Sequence, residues 1–505
     1  MTTDPTSAVP MPNPGQGSLT SREPATGEIV AVFPVQSARD VTEVVDSARA
    51  AASWWSVQSV NERSRHLERW RRHIWRRRRE LADLIHRENG KPVDDAIVEI
   101  GLTVEHIRWA ERHAKQVLAS RRVSPGILLA NFAARVDHEP LGVVGVISPW
   151  NYPLYAANSS TAFALAAGNT VVIKPSEYTP AVADWYARAF GFANPAAPTG
   201  IVTVVTGYGD TGAALCRSGV DKIAFTGSTA TGRAVMGACA ETVTPTVLEL
   251  GGKDAAIVAE DADLTEAAKA IAWGAFTNAG QTCVGVERVY VVRSVADRLL
   301  DLLISELRGV RVGTTYGAMT MPKQIDTVQR HLADAVAVGG EVVFGGIETP
   351  RTDGFLDPVL LANVPESCSA MREETFGPVL TVRTVESIDE AVELANTGDY
   401  GLSASVFAGE QREKIARRLD AGQVSINSVV AFAGMGAVPM GGTKGSGFGR
   451  LHGREGLLEF VRPRAVVRKR FRIPGFEPIT LHRQRHVVPL TALVLSLRHG
   501  GLRRR

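Results

Sequence analysis

Apolar residues recur along the 505-residue chain with two different periods. From Ser37 to about Ser120 the period is helical: Val41, Val44, Val45 and Ala48 fall at helix spacing, as do Leu67, Trp70, Ile74 and Leu81. From Gly142 onward short continuous apolar runs take over. Val143–Ile147, Val171–Ile173 and Ile201–Val205 read as strands covered on both faces, with a helix over Thr161–Gly168. Val243–Leu250, Ala255–Val258, Val289–Val292, Glu341–Phe344 and Arg464–Val467 read as further strands, and Leu264–Asn278 and Val295–Leu307 as helices. Gly126–His138 reads as a two-strand excursion, Ile127–Leu129 and then Ala133–Val136. Strands alternating with helices predict an α/β fold with parallel sheets. The length predicts more than one domain.

Three stretches break the pattern. Residues 1–18 are rich in Pro, Ser, Thr and Gly and read as a disordered N-terminus. Arg63–Arg79 holds nine arginines. Its apolar spacing is that of a core-facing helix, with arginine on the solvated face and Glu62, Glu68 and Glu80 interleaved, which favours a helix over a nucleic-acid or membrane patch. Residues 472–505 carry seven arginines against the single acid Glu477 and enclose the apolar run Val487–Leu497. This extension reads either as an arm packed on the same oligomer or as a peripheral contact with an anionic membrane surface. The run is too short to cross a bilayer.

Composition adds exclusions. A net charge of +3, with 45% apolar and 22% charged residues, fits a soluble globular protein with no nucleic-acid partner. The N-terminus lacks the apolar core of a signal peptide, so a cytoplasmic location is expected, with the extension as the candidate for membrane contact. Cys216, Cys239, Cys283 and Cys368 show neither CxxC nor metal-ligand spacing, so a reducing compartment and no metal are expected.

One cysteine stands apart. Cys283 lies on a Gly280-Gln281-Thr282 turn between a helical and a strand-like run, where a thiolate is reachable. A buried small residue is the common role of a free cysteine. Glu249, in Leu248-Glu249-Leu250-Gly251-Gly252-Lys253, supplies a carboxylate beside glycines that leave room for a substrate or cofactor. A thiol and a carboxylate are the minimal kit for covalent chemistry followed by hydrolysis. Asn151 follows the Val143–Ile147 strand, where ligands of open α/β sheets sit. It is equally an oxyanion donor or a turn residue before Pro153. Lys174 and Glu177 follow another strand and suit a ribose. Gly207-Tyr208-Gly209-Asp210-Thr211-Gly212 is a literal GxGxxG after a strand, but no acid ends a second strand about twenty residues on, so the dinucleotide fingerprint is incomplete.

Seven short blocks, in order over roughly residues 20 to 470, resemble the aldehyde dehydrogenase superfamily. They are Ser148–Pro153, Lys174–Glu177, Phe225–Ser228, Leu248–Lys253, Gly280–Arg288, Glu373–Pro378 and Pro439–Gly442 continuing to Gly447. The resemblance implies an aldehyde dehydrogenase-like fold: two doubly wound α/β domains plus a β oligomerisation arm. It divides the chain into a cofactor domain (19–121 and 141–250), an arm (122–140 and 460–471), a catalytic domain (251–459) and the extension (472–505). It implies oxidation of an aldehyde to a carboxylic acid through a thiohemiacetal and a thioester on Cys283. Asn151 would hold the oxyanion and Glu249 would activate water. NAD, or NADP, would be held by Trp150, Lys174, Ser176, Glu177, Gly207, Phe225, Gly227, Ser228, Gly251, Glu374 and Phe376. The Glu177 carboxylate would repel a 2′-phosphate, which favours NAD. The family's strand Phe355–Leu360 lies at the surface, and its members are homodimers or homotetramers.

The chain departs from the pattern at Leu451, where an acid follows the Gly-Arg pair, and at Thr277, where succinate-semialdehyde enzymes carry arginine six residues before the nucleophile. The Gly447–Leu458 run still resembles a branch named for that substrate. Succinate-semialdehyde specificity and a coenzyme A-acylating enzyme are the alternatives; Glu249 argues against the second. Tyr152, Tyr155 and Phe432 suggest an apolar funnel for the aldehyde.

Overall fold

Strands form where the apolar runs predict them, and their pairing makes two parallel sheets. The structure, a computed structural model, describes residues 17–347, 353–474, 480–482 and 484–499. The first sheet runs in the order Gly447–Phe448, Thr246–Glu249, Lys222–Thr226, Val143–Ile147, Thr170–Lys174, Val202–Val204, parallel except at its first pair. Side chains alternate between faces. Val143, Val172, Ile223 and Leu248 pack with Val41, Val45 and Leu215, while Val144, Val171, Ile173 and Val247 pack with Trp55, Leu67, Trp70 and Phe163. Chain order reverses between Val143–Ile147 and Lys222–Thr226. The crevice beyond their C-terminal ends is the switch point where such sheets bind ligands.

The arginine-rich stretch is helical and amphipathic as its spacing predicts, but it breaks at Arg77 into Val60–Arg76 and Arg78–Asn89, which carries Leu81. Arg63 is buried and donates to the Ala166 carbonyl. Val60–Arg76 starts at a Ser59–Glu62 capping box and buries Leu67, Trp70 and Ile74. Arg71 pairs with Glu111 at 2.9 Å and Arg72 with Glu68 at 2.5 Å.

The second sheet runs Glu341–Phe344, Val359–Ala362, Val379–Val385, Val286–Val292, Asp254–Val258, Ser403–Phe407, Gln423–Ile426, parallel apart from its outermost strand. A third, antiparallel sheet joins Val461–Lys469 to Phe132–Pro140 and Arg121–Val123.

Several expectations need correction. Ile127–Leu129 is a single 3-10 turn, and the first strand of the excursion is Arg121–Val123. Pro125 and Gly126, the latter at φ 79°, turn the chain before an Ile127 ladder can start. The strand expected from Phe355 at the surface starts at Val359, after Pro358, and is buried within the sheet. The strand expected from Val243 starts at Thr246, because Val243 is left-handed (φ 56°) and Pro245 follows. The segment 447–458, expected in the second half, returns to the first sheet: Gly447 and Phe448 pair with Glu249 and Leu248. A Cβ on Gly447 would lie 2.1 Å from the Leu248 carbonyl oxygen, so only glycine permits that approach.

Of the N-terminal stretch expected to be disordered, residues 1–16 lie outside the described residues, while Ser18 begins the Ser18–Arg22 strand. Of the extension, Glu477, Arg483 and Arg503–Arg505 also lie outside them. Val487–His499 is a helix exposing Val488, Leu490, Leu493 and Leu497. No helix among the described residues is long and apolar enough to cross a membrane.

Candidate active site

The Leu264–Phe276 helix hands the chain to a strained turn. Asn278, Ala279 and Gly280 are left-handed in succession, at φ 53°, 57° and 73°. Each non-glycine residue there costs about 1–2 kcal/mol, so the turn persists only where its surroundings hold it. They do. Asn278 Nδ2 donates to the Asn151 carbonyl at 3.0 Å and to the Gln281 carbonyl at 3.2 Å. Gln281 Nε2 donates to the Asn278 carbonyl at 3.0 Å, and its Oε1 accepts from the Thr320 N–H at 2.9 Å. A Cβ on Gly280 would lie 2.1 Å from the Gly377 carbonyl oxygen. The turn so fixed presents Cys283.

The Cys283 thiol meets Glu249 Oε1 at 3.8 Å, and Glu249 Oε2 accepts from Thr226 Oγ1 at 3.4 Å. Burial pushes Glu249 up to about 7. Burial, and then the Glu249 charge, push the Cys283 thiol well above its ordinary range. Asn151 Nδ2 donates to the Gln281 carbonyl at 3.0 Å, tying the first sheet's switch-point loop to the cysteine turn. Cys283, Glu249 and Asn151 line one cavity of about 340 Å³. Tyr152 and Tyr155 line it as expected of a funnel. Phe432 is not among its lining residues but packs with Val284 and Met440, which are.

A second cavity, of about 470 Å³, lies at the switch point and shares Pro149 and Thr226 with the first. Trp150, Lys174, Ser176, Glu177, Phe225, Gly227 and Ser228 line it. Ser228 caps the Thr229–Ala240 helix, accepting from the Thr231 N–H at 3.2 Å. A Cβ on Gly227 would meet the Phe225 ring at 2.7 Å. Lys174 Nζ lies 3.9 Å from Glu177 Oε2.

The remaining four expected cofactor residues lie outside that lining. Gly207 packs on Thr211, whose Oγ1 would sit 2.1 Å from a Cβ there. Tyr208, Gly209 and Gly212 line the cleft in its place, so the GxGxxG motif itself was the usable signal. Gly251 has no room for a side chain because Glu374 Oε2 would lie 2.4 Å away. Glu374 accepts from the Gly252 N–H at 3.0 Å, and burial, with Glu287 nearby, pushes it up to about 8. Phe376 stands edge-on to Trp150, centroids 5.5 Å apart, so it borders the cleft through that ring.

The helical layer contributes a pair that the sequence reading missed. Lys91 Nζ donates to Glu99 Oε2 at 2.6 Å and to the Asn151 carbonyl at 3.0 Å, and lies 3.9 Å from the Tyr152 ring centroid. Glu99 Oε1 accepts from the Leu154 and Tyr155 N–H groups at 2.9 and 3.0 Å. The pair therefore holds the Asn151 loop from beneath. A signal existed: Glu99 occupies an inward position of the repeat Ala96, Ile100, Thr103, Ile107, where an acid is out of place. Leu451 is buried, and its neighbour His452 stands edge-on to His106, centroids 4.2 Å apart, with Tyr155 beside both.

Two doubly wound sheets with a thiol, a carboxylate and an amide at their junction, beside a switch-point cleft, define an oxidoreductase of the dinucleotide-dependent α/β class. The comparisons narrow this. The model described as "Aldehyde dehydrogenase family" matches residues 12–466. A Mycolicibacterium smegmatis protein provisionally named succinate-semialdehyde dehydrogenase [NADP(+)] is 39% identical over 88% of this chain and 87% of its own. The 4,4'-diapolycopene aldehyde oxidase of Methylomonas sp is 37% identical over 90% of this chain and 87% of its own. The crystal structure of an NAD-dependent aldehyde dehydrogenase from Sinorhizobium meliloti superimposes with a TM-score of 0.87 at 36% identity, covering 92% of this chain and 93% of that one. The chain belongs to the aldehyde dehydrogenase family.

Proposed function

We propose that the protein oxidises an aldehyde to a carboxylic acid, with Cys283 as nucleophile and NAD or NADP as cofactor. What carries this reading is the 3.8 Å approach of the Cys283 thiol to Glu249 in a cavity that adjoins the switch-point cleft. Cys283, as its thiolate, adds its sulfur to the aldehyde carbon. Asn151 keeps a second amide hydrogen beyond the one given to Gln281, and donates it to the oxyanion of the thiohemiacetal. Oxidation of that adduct leaves a thioester on Cys283. Glu249, as a carboxylate, draws a proton from water, which hydrolyses the thioester and frees the acid.

The cleft fits a dinucleotide. Ser228 opens a helix whose first N–H groups lack intrahelical partners, as an anion needs. Gly227 and Gly212 keep backbone close to the cleft, and Lys174 with Glu177 offers a donor and acceptors for a ribose. The bound nicotinamide supplies the electron acceptor. Glu374 and Phe376 complete its surroundings from the Gly251 side. Glu177 favours NAD over NADP, whose 2′-phosphate it would repel.

Water rather than coenzyme A is the acceptor, because Glu249 stands at the thiol. Succinate semialdehyde, in the name of the Mycolicibacterium relative, needs a cation for its second carboxyl group, and Thr277 stands where that arginine is expected. The protein assembles as a homodimer or homotetramer in the cytoplasm. The edge strand Val461–Lys469, largely exposed, offers its outer side for that contact. The exposed helix Val487–His499 either packs in the assembly or touches membrane; equal pelleting of full-length and 1–471 protein with anionic vesicles rejects the membrane. NADH formation across an aldehyde panel, with and without coenzyme A, tests the reaction. Cys283→Ser should abolish it, and activity that survives this change removes Cys283 from the reaction.

A further inference from the structure

The shape and charge of the cavity beyond Cys283 bear on which aldehyde it takes. Its outer walls are apolar: Val98, Leu102, Trp273, Val284, Val429 and Met440. Three of the four charged side chains in its lining are acids, Asp95, Glu99 and Glu249. Lys91 is the one cation among the described lining residues, and its ammonium is spent on Glu99, the Asn151 carbonyl and the Tyr152 ring. A substrate carboxylate would enter this cavity facing acids, with no unengaged cation to meet it.

The cavity does not end at its own walls. Val98, Leu102 and Gly434 also line a surface groove of about 650 Å³. Ile97, Gly101, Val104 and Trp75 continue its floor, with Arg71, Arg72 and Arg76 along one side. The junction carries large apolar groups at the surface: Val98 is 59% exposed and Trp75 42% exposed. A largely apolar cavity at a reactive thiol that shares Val98, Leu102 and Gly434 with an open groove, lined also by Glu105, makes a track that suits an elongated apolar ligand better than a four-carbon one.

We infer that the substrate class is long-chain apolar aldehydes, whose tail leaves the catalytic cavity past Val98, Leu102 and Gly434 and lies in the groove along the Val93–Val117 helix. This rests on the aldehyde oxidation proposed for Cys283. Specificity then comes from methylenes removed from water along the track, and aldehydes ending in a carboxylate are disfavoured.

The test is kcat/KM of the full-length protein, at saturating NAD or NADP, for butanal, hexanal, octanal, decanal and succinate semialdehyde. Each methylene that enters the track should raise kcat/KM by about fourfold, so decanal should exceed butanal by about a hundredfold or more. Succinate semialdehyde should fall below butanal. Gly101→Trp fills the groove at a point where an added Cβ meets nothing within 4 Å. It should lower the decanal-to-butanal ratio by about tenfold or more, as the lost methylene contacts require. Val98→Asp, at an exposed position, should shift the ratio the same way. A flat or falling chain-length profile, a preference for succinate semialdehyde, or ratios unchanged in both folded variants overturns the inference while turnover of short aldehydes leaves the Cys283 chemistry standing. No turnover of any aldehyde overturns both.

Discussion

Taking the Glu249 carboxylate out of water raises its proton affinity until it titrates at about 7. A base is active only when deprotonated. Thioester hydrolysis should therefore be slow below pH 6, rise through about 7 and level off above it. Single-turnover measurement of acid release against pH checks this, and a pH-independent rate would show that another group draws the proton. Glu177 makes a different use of charge. It is partly exposed at the cleft, 3.9 Å from Lys174, and accepts from the Ser176 hydroxyl at 3.3 Å. Glu177→Gln keeps the shape and removes the repulsion. The ratio of kcat/KM for NADP to that for NAD should rise by about tenfold, the equivalent of about 1.4 kcal/mol. No change would place the choice of cofactor elsewhere.

Elements position these residues through buried charge. Lys91 and Glu99 are each 1% exposed at their side chains. Removing one partner strands the other in the interior, which costs about 3–5 kcal/mol. Lys91→Met should lose that much stability in denaturant titration, and should lower kcat because the Asn151 loop loses its support. An unchanged midpoint would mean that Glu99 is served by the Leu154 and Tyr155 N–H groups alone. Strands with continuous apolar runs were legible, and Asp254–Val258 appears within a residue of its reading. Val379–Val385 and Ser403–Phe407 went unread because Thr381, Arg383, Ser403 and Ser405 interrupt their apolar runs. Boundaries failed where a proline or a left-handed residue stopped the ladder, as at Pro358 and Val243. Cys283 and Glu249 stood out by residue type and turn context, and Asn151 only through the family resemblance; the three line one cavity. Lys91 did not stand out, because a lysine beside Gly90 and Pro92 looks like a solvated turn, and its partner lies within a helix read only for its period.

The whole molecule carries one further titration. His106 and His452 are fully buried and packed edge to face where the Gly453–Leu458 helix meets the helical layer, and the His452 ring nitrogens have no hydrogen-bond partner among the described residues. Burial pushes His106 down from 6.5 to about 4, and His452 lower still than its ordinary value. A histidine buried neutral stabilises the fold fully above its unfolded pKa. That contribution, about 3 kcal/mol for His106, is lost progressively as pH falls from 6.5 toward 4. Glu249 and Glu374, raised by burial, gain stability over the same range, so the histidine contribution is read as a difference. Relative to a variant with both histidines replaced by leucine, wild-type Tm should fall between pH 7.5 and 5, and a difference that does not change with pH contradicts the buried neutral pair. The two sheets and the adjoining cavities converge on the sulfur of Cys283.

Rapid mixing of the Glu249→Gln variant with aldehyde and cofactor tests the Cys283 thioester directly. A stoichiometric burst of reduced cofactor should appear, followed by a stalled steady state, and intact-mass analysis should find an acyl group on Cys283. A steady rate equal to wild type, or an unmodified Cys283 after the burst, would contradict a Cys283 thioester hydrolysed by Glu249.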